Sequence, residues 1–190
     1  MNALDDLVRI CPPPGRPPSA VDWTTTEDTL GTALPADYKR LVETYGEGVF
    51  DDTIWLLSPG SPHPGCDQLA QTAERDEILG GLWEAGEEQP SQFLEPGSRI
   101  LPWAYEEGTG AFLYWWVRPG QHPDEWTVLY NEGRGPLWEH HDSTCAALVL
   151  AVLTGTARTD YFAYLYNVLK PVEHRFQPAG EIFGATETAV

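Results

Sequence analysis

Basic residues are scarce in this sequence. The 190-residue chain has 11 Lys and Arg against 29 Asp and Glu, and its formal net charge is −18. A field of this sign repels the phosphates of nucleic acids and anionic membrane surfaces, so we expect neither to be a direct partner. The same field attracts a basic protein and speeds the encounter. The alternative interpretation is that the acids only keep the protein in solution.

The chain also lacks a long apolar run and a basic N-terminus. The longest apolar stretch, Cys145 to Leu153, is about half as long as a membrane span requires. The first six residues include two acids where a signal peptide carries basic residues, and no apolar segment follows them. We therefore expect a cytoplasmic protein.

Cysteine is rare and occurs at positions 11, 66 and 145. An odd number at wide spacing argues against a disulfide framework and fits a reducing compartment. Cys145 lies near a predicted helix start, where thiolates are favoured. Because it begins an Ala/Leu/Val run, however, we expect a buried and unreactive thiol.

Catalytic motifs are missing as well: there is no Gly-x-Ser-x-Gly, no phosphate-binding loop and no Gly-x-Gly-x-x-Gly. The most promising polar cluster is Glu139-His140-His141-Asp142, but neighbouring residues of a strand point to opposite faces, so its two histidines cannot easily bind one metal. His63 and Cys66 have no second ligand pair at zinc-site spacing. We expect no catalytic residue, cofactor or metal site. A hydrolase that uses Glu139, His141 or Asp142 is the remaining enzymatic alternative.

The composition is that of an ordinary globular protein, with 42% hydrophobic and 21% charged residues. A chain of this length fits one domain, and a second full core would be cramped. The eight tryptophans suit cores and interfaces equally, since each has a large apolar body and one N–H that needs a partner.

Helix signals dominate the first fifty residues. Asn2 can cap a short helix that stops at Pro12, and the stretch from Pro12 to Pro18 is a stiff linker. Ser19 and Asp22 form a capping-box pattern that predicts a second helix ending at Gly31. A third helix is predicted from Pro35 to Gly46, with an apolar stripe of Tyr38, Leu41, Val42 and Tyr45.

Strand signals follow the helices. Predicted strands cover Thr53–Leu57, Arg99–Tyr105, Ala111–Val117, Trp126–Asn131 and Leu137–His141, and predicted helices cover residues 66–84, Ser143–Thr154 and Tyr161–Leu169. The later strands are joined by hairpin turns. This order predicts an α+β fold in which an antiparallel β-meander sheet packs against helices.

Two stretches resemble the SUKH superfamily, which includes the Smi/Knr-type proteins. The first reads Trp23-x3-Glu27-x2-Leu30-Gly31-x2-Leu34-Pro35-x-Asp37-Tyr38-x2-Leu41-x3-Tyr45-Gly46-x-Gly48. The second reads Ile100-Leu101-Pro102-Trp103-Ala104, then Gly108 and Leu113-Tyr114-Trp115, with Tyr105, Glu106 and Glu107 around the hairpin. The resemblance covers residues 19–155, and no single piece of it is specific.

The resemblance implies a SUKH-like, non-enzymatic α+β fold. Many bacterial members are immunity proteins that neutralise toxins, often nucleases, whereas fungal members are regulatory scaffolds. We therefore expect a monomeric immunity protein that binds a basic toxin domain, with an intracellular regulatory scaffold or adaptor as the alternative. Three segments are expected: residues 1–18 as an N-terminal helix and Pro-rich arm, 19–155 as the SUKH-like domain, and 156–190 as a helical extension and tail. Because the Pro-rich stretch separates the first helix from the core, removal of residues 1–17 should leave a folded domain.

The acidic excess suggests where a partner binds. Residues 84–142 hold 11 acids against 3 bases. The candidate partner-binding residues lie at predicted strand ends and are Glu106, Glu107, Asp124, Glu125, Glu132 and the aromatic Trp126. We expect the acids to be exposed along one or both rims of the sheet. For any one tryptophan a position in the core is the alternative.

Alternation along the strands gives a further expectation about the aromatic residues. Since every second residue of a strand shares a face, Trp103 and Tyr105 should lie together, while Trp115 and Trp116 should lie on opposite faces.

Overall fold

Six helices and seven strands are present in the computed structural model, which describes residues 2–90, 95–133, 136–157, 159 and 173–184. The helices are α1 (Ala3–Ile10), α2 (Trp23–Leu30), α3 (Ala36–Tyr45), α4 (Gln68–Glu84), α5 (Cys145–Leu153) and α6 (Ala179–Phe183). The strands are β1 (Gly48–Phe50), β2 (Ile54–Leu56), β3 (Arg99–Glu106), β4 (Phe112–Val117), β5 (Thr127–Asn131), β6 (Trp138–His141) and β7 (Phe176–Pro178). Short 3-10 turns cover Pro64–Cys66 and Pro123–Glu125.

The strands form one antiparallel sheet in the order β6-β5-β4-β3-β2-β1-β7. Strands β1 to β6 follow one another as a meander, and β7 is added beside β1. Together with the six helices, this sheet confirms the predicted α+β class with an antiparallel meander.

One face of the sheet, here called the inner face, packs against α1, α2, α3 and α5 and contains the main core. Tyr38 of α3 packs edge-on against Trp115 of β4, with ring centroids 4.8 Å apart, and its hydroxyl donates to the Leu57 carbonyl at 2.8 Å. The large buried side chains of the sheet on this face are Phe50, Ile54, Leu56, Trp103, Leu113, Trp115 and Tyr130. Burial of these apolar side chains is the main favourable contribution to the free energy of folding.

The other face, the outer face, packs against α4 and α6. It carries two smaller apolar clusters, one built around Tyr114 and Leu129 with Leu79 of α4, the other around Val49 and Trp55 with Ala179 of α6. Within the described residues, α4 lies against β3 and its neighbours while α6 lies against β1 and β7, and a groove remains between them.

A β-bulge in β3 decides which residues face which side. Pro102 pairs with Tyr114, but Ala104 pairs with Leu113, so Trp103 is the extra residue. Trp103 therefore lies in the main core, whereas Tyr105 lies on the outer face. The expectation that these two share a face is wrong because the bulge interrupts the alternation. The expected split of Trp115 and Trp116 is confirmed.

The predicted helices and strands within the described residues are confirmed with small shifts. The N-cap of α2 is Asp22, whose carboxylate accepts from the Thr25 N–H at 3.0 Å, so the helix begins at Trp23 and not near Ser19. Strands β1 and β7 and helix α6 were not predicted. The predicted helix Tyr161–Leu169 lies outside the described residues.

Both predicted terminal segments take part in the domain. Leu7 and Cys11 of the N-terminal segment are fully buried in the main core, and the Tyr45 hydroxyl donates to the Cys11 carbonyl at 2.6 Å. The picture of residues 1–18 as an arm apart from the core does not fit this packing. At the other end, β7 extends the sheet.

Strand β7 is attached to the β1–β2 turn by polar contacts. Three residues join the paired Phe50 and Ile54; Asp51 and Asp52 both have positive φ, 48° and 54°, and the Thr53 N–H donates to the Phe50 carbonyl at 2.9 Å. The Asp51 carboxylate contacts the His174 ring at 2.7 Å and accepts from the Arg175 N–H at 2.9 Å, and Asp52 pairs with the Arg175 guanidinium. A Cβ on Gly48 would lie 2.3 Å from the Gln177 carbonyl, so β1 and β7 approach closely only because this residue is glycine.

Candidate functional site

The predicted acids are divided between two ends of the sheet. Because β3 and β5 run in the same direction, Glu106, Glu107 and Glu132 lie at one end, here called the hairpin rim, together with the β1–β2 turn. The Glu107 N–H donates to the Thr53 carbonyl at 2.8 Å, which joins two of these loops. Asp124 and Glu125 lie at the opposite rim, so the acids do not form one cluster.

Glu106 is buried, with 4% of its surface exposed. Its carboxylate accepts a hydrogen bond from the Tyr130 hydroxyl at 2.6 Å and another from the Thr109 hydroxyl at 3.2 Å. The expectation that Glu106 is an exposed acid is wrong, because the bulge at Trp103 turns it to the inner face.

Trp126 is also buried, with 4% exposed, and its ring centroid lies 6.1 Å from that of Trp115 in the main core. Trp126 was expected to bind a partner, with a core position as the alternative, and the structure places it in the core. Asp124 accepts from the Ala36 N–H at 2.6 Å and so satisfies a donor at the start of α3. Glu125 is exposed and Glu132 is half-buried.

Glu107 is exposed at the hairpin rim. Its carboxylate accepts a hydrogen bond from the indole N–H of Trp55, on the neighbouring strand β2. This contact fixes the orientation of a side chain that would otherwise move freely in solvent, so the charge of Glu107 has a defined position beside the outer face.

Beside Glu107, the open part of the outer face forms a groove of about 900 Å³, here called the aromatic groove. Its floor contains Trp55, Tyr105 and Phe112, one side is formed by α4, and the other side is formed by α6 with Phe183. Trp55 stacks on Tyr105 with centroids 5.8 Å apart and on Phe183 with centroids 5.5 Å apart. The volume suits a large side chain or a short peptide segment.

Arg75 of α4 shows how a cation is held in the aromatic groove. Its guanidinium carbon lies 4.5 Å from the centroid of Phe112, and one of its nitrogens lies 3.3 Å from the Glu74 carboxylate. The same Glu74 side chain accepts from the Gln71 amide at 2.8 Å. The groove thus combines aromatic faces with carboxylates, an arrangement that favours cations.

The polar cluster on β6 is divided between faces, as the alternation predicts. His140 contacts the Thr127 hydroxyl at 2.8 Å and the Trp116 ring on the outer face, whereas His141 is buried. Burial, followed by the charge of His140, holds the pKa of His141 below its ordinary value, although the Glu139 carboxylate lies 3.5 Å from Nε2. Within the described residues no group of three or more His, Cys, Asp and Glu side chains is placed to hold a metal.

The cysteines are buried and free. Desolvation raises the pKa of Cys11 and of Cys66 to about 12, and it raises the pKa of Cys145 well above its ordinary value. The Trp115 indole N–H donates to the Cys145 sulfur at 3.1 Å. The prediction that Cys145 is buried is confirmed, and this burial disfavours its thiolate.

Of the residues that line the aromatic groove, the sequence predicted as binding residues only the acids Glu106 and Glu107. Trp55 pairs with Tyr105 across β2 and β3, and this pair was detectable only with the register and the bulge known. Arg75 and Phe183 come from α4 and α6, and no local pattern indicated that either helix faces the same part of the sheet.

No helix in the described part of the chain combines the length and the apolar character needed to cross a lipid bilayer. Comparisons with known proteins returned no match: no family model, no curated protein and no solved structure is significantly similar to this chain.

Proposed function

We propose that this protein acts by binding a basic protein partner, not by catalysing a reaction, and that the partner covers the hairpin rim and the aromatic groove. The observation that carries the proposal is the groove itself, a concave aromatic surface with the oriented carboxylate of Glu107 at its edge. Aromatic side chains at the centre and polar side chains around them are typical of protein interfaces.

The more specific proposal is an immunity protein of the SUKH type that neutralises a cognate toxin domain, often a nuclease. The SUKH-like pattern covers the caps of α2 and α3, where Gly31 has φ of 67° and Gly46 ends α3, so the pattern coincides with helix ends of this fold. The net charge of −18 suits the basic groove with which a nuclease binds nucleic acid.

The alternative is an intracellular regulatory scaffold with more than one partner. The separation of the acids into two rims favours it, because Glu125 at the opposite rim is too far along the strands to belong to the surface around Glu107. On either proposal the protein works as a monomer in the cytoplasm and binds no cofactor.

The test is capture of the partner from the native cell with the tagged protein, followed by its identification and expression. On the immunity proposal the captured protein is basic, arrests growth when expressed alone, and no longer does so when co-expressed with this protein. The charge-reversal variant Glu107→Lys should lose protection, whereas Asp28→Lys, which makes the same charge change on α2, should retain it. A harmless partner bound equally well by both variants would contradict the immunity proposal.

A further inference from the structure

The floor of the aromatic groove leaves aromatic surface available to a ligand. Tyr105 is half-buried, and Phe183 at the end of α6 has 38% of its surface exposed. Both rings stack on Trp55, so they form one continuous surface with it. An exposed aromatic surface of this kind is favourably covered by an apolar group or by a flat cation.

The charges around this surface are unequal. Asp52 is paired with Arg175, and Glu74 is paired with Arg75. Glu107 forms no ion pair with any Lys, Arg or His of the described residues, and its hydrogen bond from Trp55 involves only one carboxylate oxygen. Glu106 also lines the groove but is buried and bonded to Tyr130. Among the described residues of the groove, Glu107 is therefore the exposed carboxylate whose negative charge is left for a ligand, and it is already oriented.

Arg75 indicates which cation fits. Its guanidinium lies over the Phe112 ring while it pairs with Glu74, so the groove already holds one arginine by a ring face and a carboxylate together. The Tyr105 ring and the Glu107 carboxylate line the same groove, so a ring face and a carboxylate are available there for a second cation. A guanidinium is planar and weakly hydrated, whereas a lysine ammonium is compact and strongly hydrated, so this arrangement favours arginine.

We infer that the aromatic groove receives an arginine side chain of the partner, whose guanidinium pairs with the Glu107 carboxylate and lies against the ring of Tyr105. This inference rests on the proposed function and names the chemical group that the site recognises. The hydrogen bond from Trp55 then has a role in recognition, because it holds the carboxylate where the guanidinium arrives.

The inference is tested without the partner. N-acetyl-arginine amide is titrated into ¹⁵N-labelled protein while the indole N–H signal of Trp55 is followed by NMR. We expect a saturable shift with a dissociation constant of roughly 1–10 mM, as suits one ion pair and one ring contact. The uncharged citrulline analogue should produce no saturable shift, and the lysine analogue should bind at least about threefold more weakly.

Three variants locate the site. Glu107→Gln keeps an acceptor for the Trp55 indole but removes the charge, and Trp55→Phe keeps a ring but removes the donor; both should weaken arginine binding. The control Glu125→Gln removes one exposed acid at the opposite rim and should bind as the wild type does. Equal shifts with citrulline, unchanged binding by Glu107→Gln, or no saturable shift at about 50 mM probe would each overturn the inference.

The outcome is independent of the capture experiment. If the arginine probe binds but no basic protein is captured, the arginine site stands and the proposed function fails. If a basic partner is captured and Glu107→Lys weakens its binding, but the arginine probe does not bind, the proposed function stands. Recognition is then by the acidic rim alone.

Discussion

Two neighbouring glutamates show how strongly one backbone irregularity changes the environment of a side chain. Glu106 lies on the inner face with the Tyr130 hydroxyl 2.6 Å away, while Glu107 is exposed at the edge of the aromatic groove. If the same residues of β3 paired with β4 without a bulge, the alternation would be reversed beyond Trp103, and Tyr105 would lie on the inner face. The bulge therefore places Tyr105 in the groove and, at the same time, Glu106 in the core.

We expect Glu106→Lys to destabilise the fold by about 3–5 kcal/mol, since it places an unpaired charge of the wrong sign in a buried hydrogen-bonded site. Glu107→Lys should cost only about 1 kcal/mol, because it loses one hydrogen bond at an exposed position. Urea unfolding followed by tryptophan fluorescence measures both values. Similar midpoints for the two variants would mean that Glu106 is exposed in solution.

The two glutamates also show what sequence patterns can and cannot predict about the site. Strand β3 was predicted from its aromatic and apolar residues, but the bulge depends on pairing with β4, which no local pattern encodes. The acids of the hairpin rim were therefore located correctly along the chain, while the exposure of Glu106 and the partner of Glu107 were not predicted.

At the scale of elements, prediction succeeded where the chain carries local signals. Helix α3 lies between Pro35 and Gly46, and both its ends follow from the conformations that proline and glycine favour. Strands β1 and β7 have three residues each, too few for a period, and their pairing depends on contacts between distant parts of the chain. Strands of this length, paired with distant parts of the chain, show no alternation pattern from which they could be predicted.

Helix α1 packs in the main core, so its removal should strongly destabilise the fold. We expect Leu7→Ala to destabilise the protein by about 2–5 kcal/mol, because Leu7 is fully buried and α1 packs against α5.

Deletion of residues 1–17 should abolish the cooperative thermal transition, which reverses the expectation that this segment is dispensable. Scanning calorimetry measures both effects.

The control for this prediction is Arg9→Ala on the same helix. The Arg9 side chain is 62% exposed and forms a surface ion pair with Asp6, so its loss should cost less than about 1 kcal/mol. A cooperative transition at the wild-type temperature in the truncated protein would show that α1 is an appendage and not part of the domain.

At the scale of the whole molecule, the dominant property is the negative charge and its unequal placement. The hairpin rim contributes Glu107 and Glu132, and the opposite rim contributes Glu125. If the partner is basic and approaches the hairpin rim, charge reversal there slows association more than the same change elsewhere, because the local field guides the encounter.

Stopped-flow association with the captured partner tests this placement. We expect the rate constant to fall about tenfold or more between roughly 0.02 and 0.5 M salt, and the variant Glu107→Lys/Glu132→Lys to associate more slowly than Glu125→Lys at low salt. A rate that depends on neither salt nor these substitutions would mean that the acids only keep the protein in solution.

The position of β7 beside β1 has a kinetic consequence. The hairpins of β3 to β6 join residues that are close in the chain and can form early, whereas Phe176 must find Phe50 across most of the chain, and such closures are slow. Since β7 leads directly into α6, which carries Phe183, the wall of the aromatic groove forms with this late pairing. A refolding chain should therefore acquire its meander before it can recognise a ligand, and the appearance of binding during refolding would report the final step of folding.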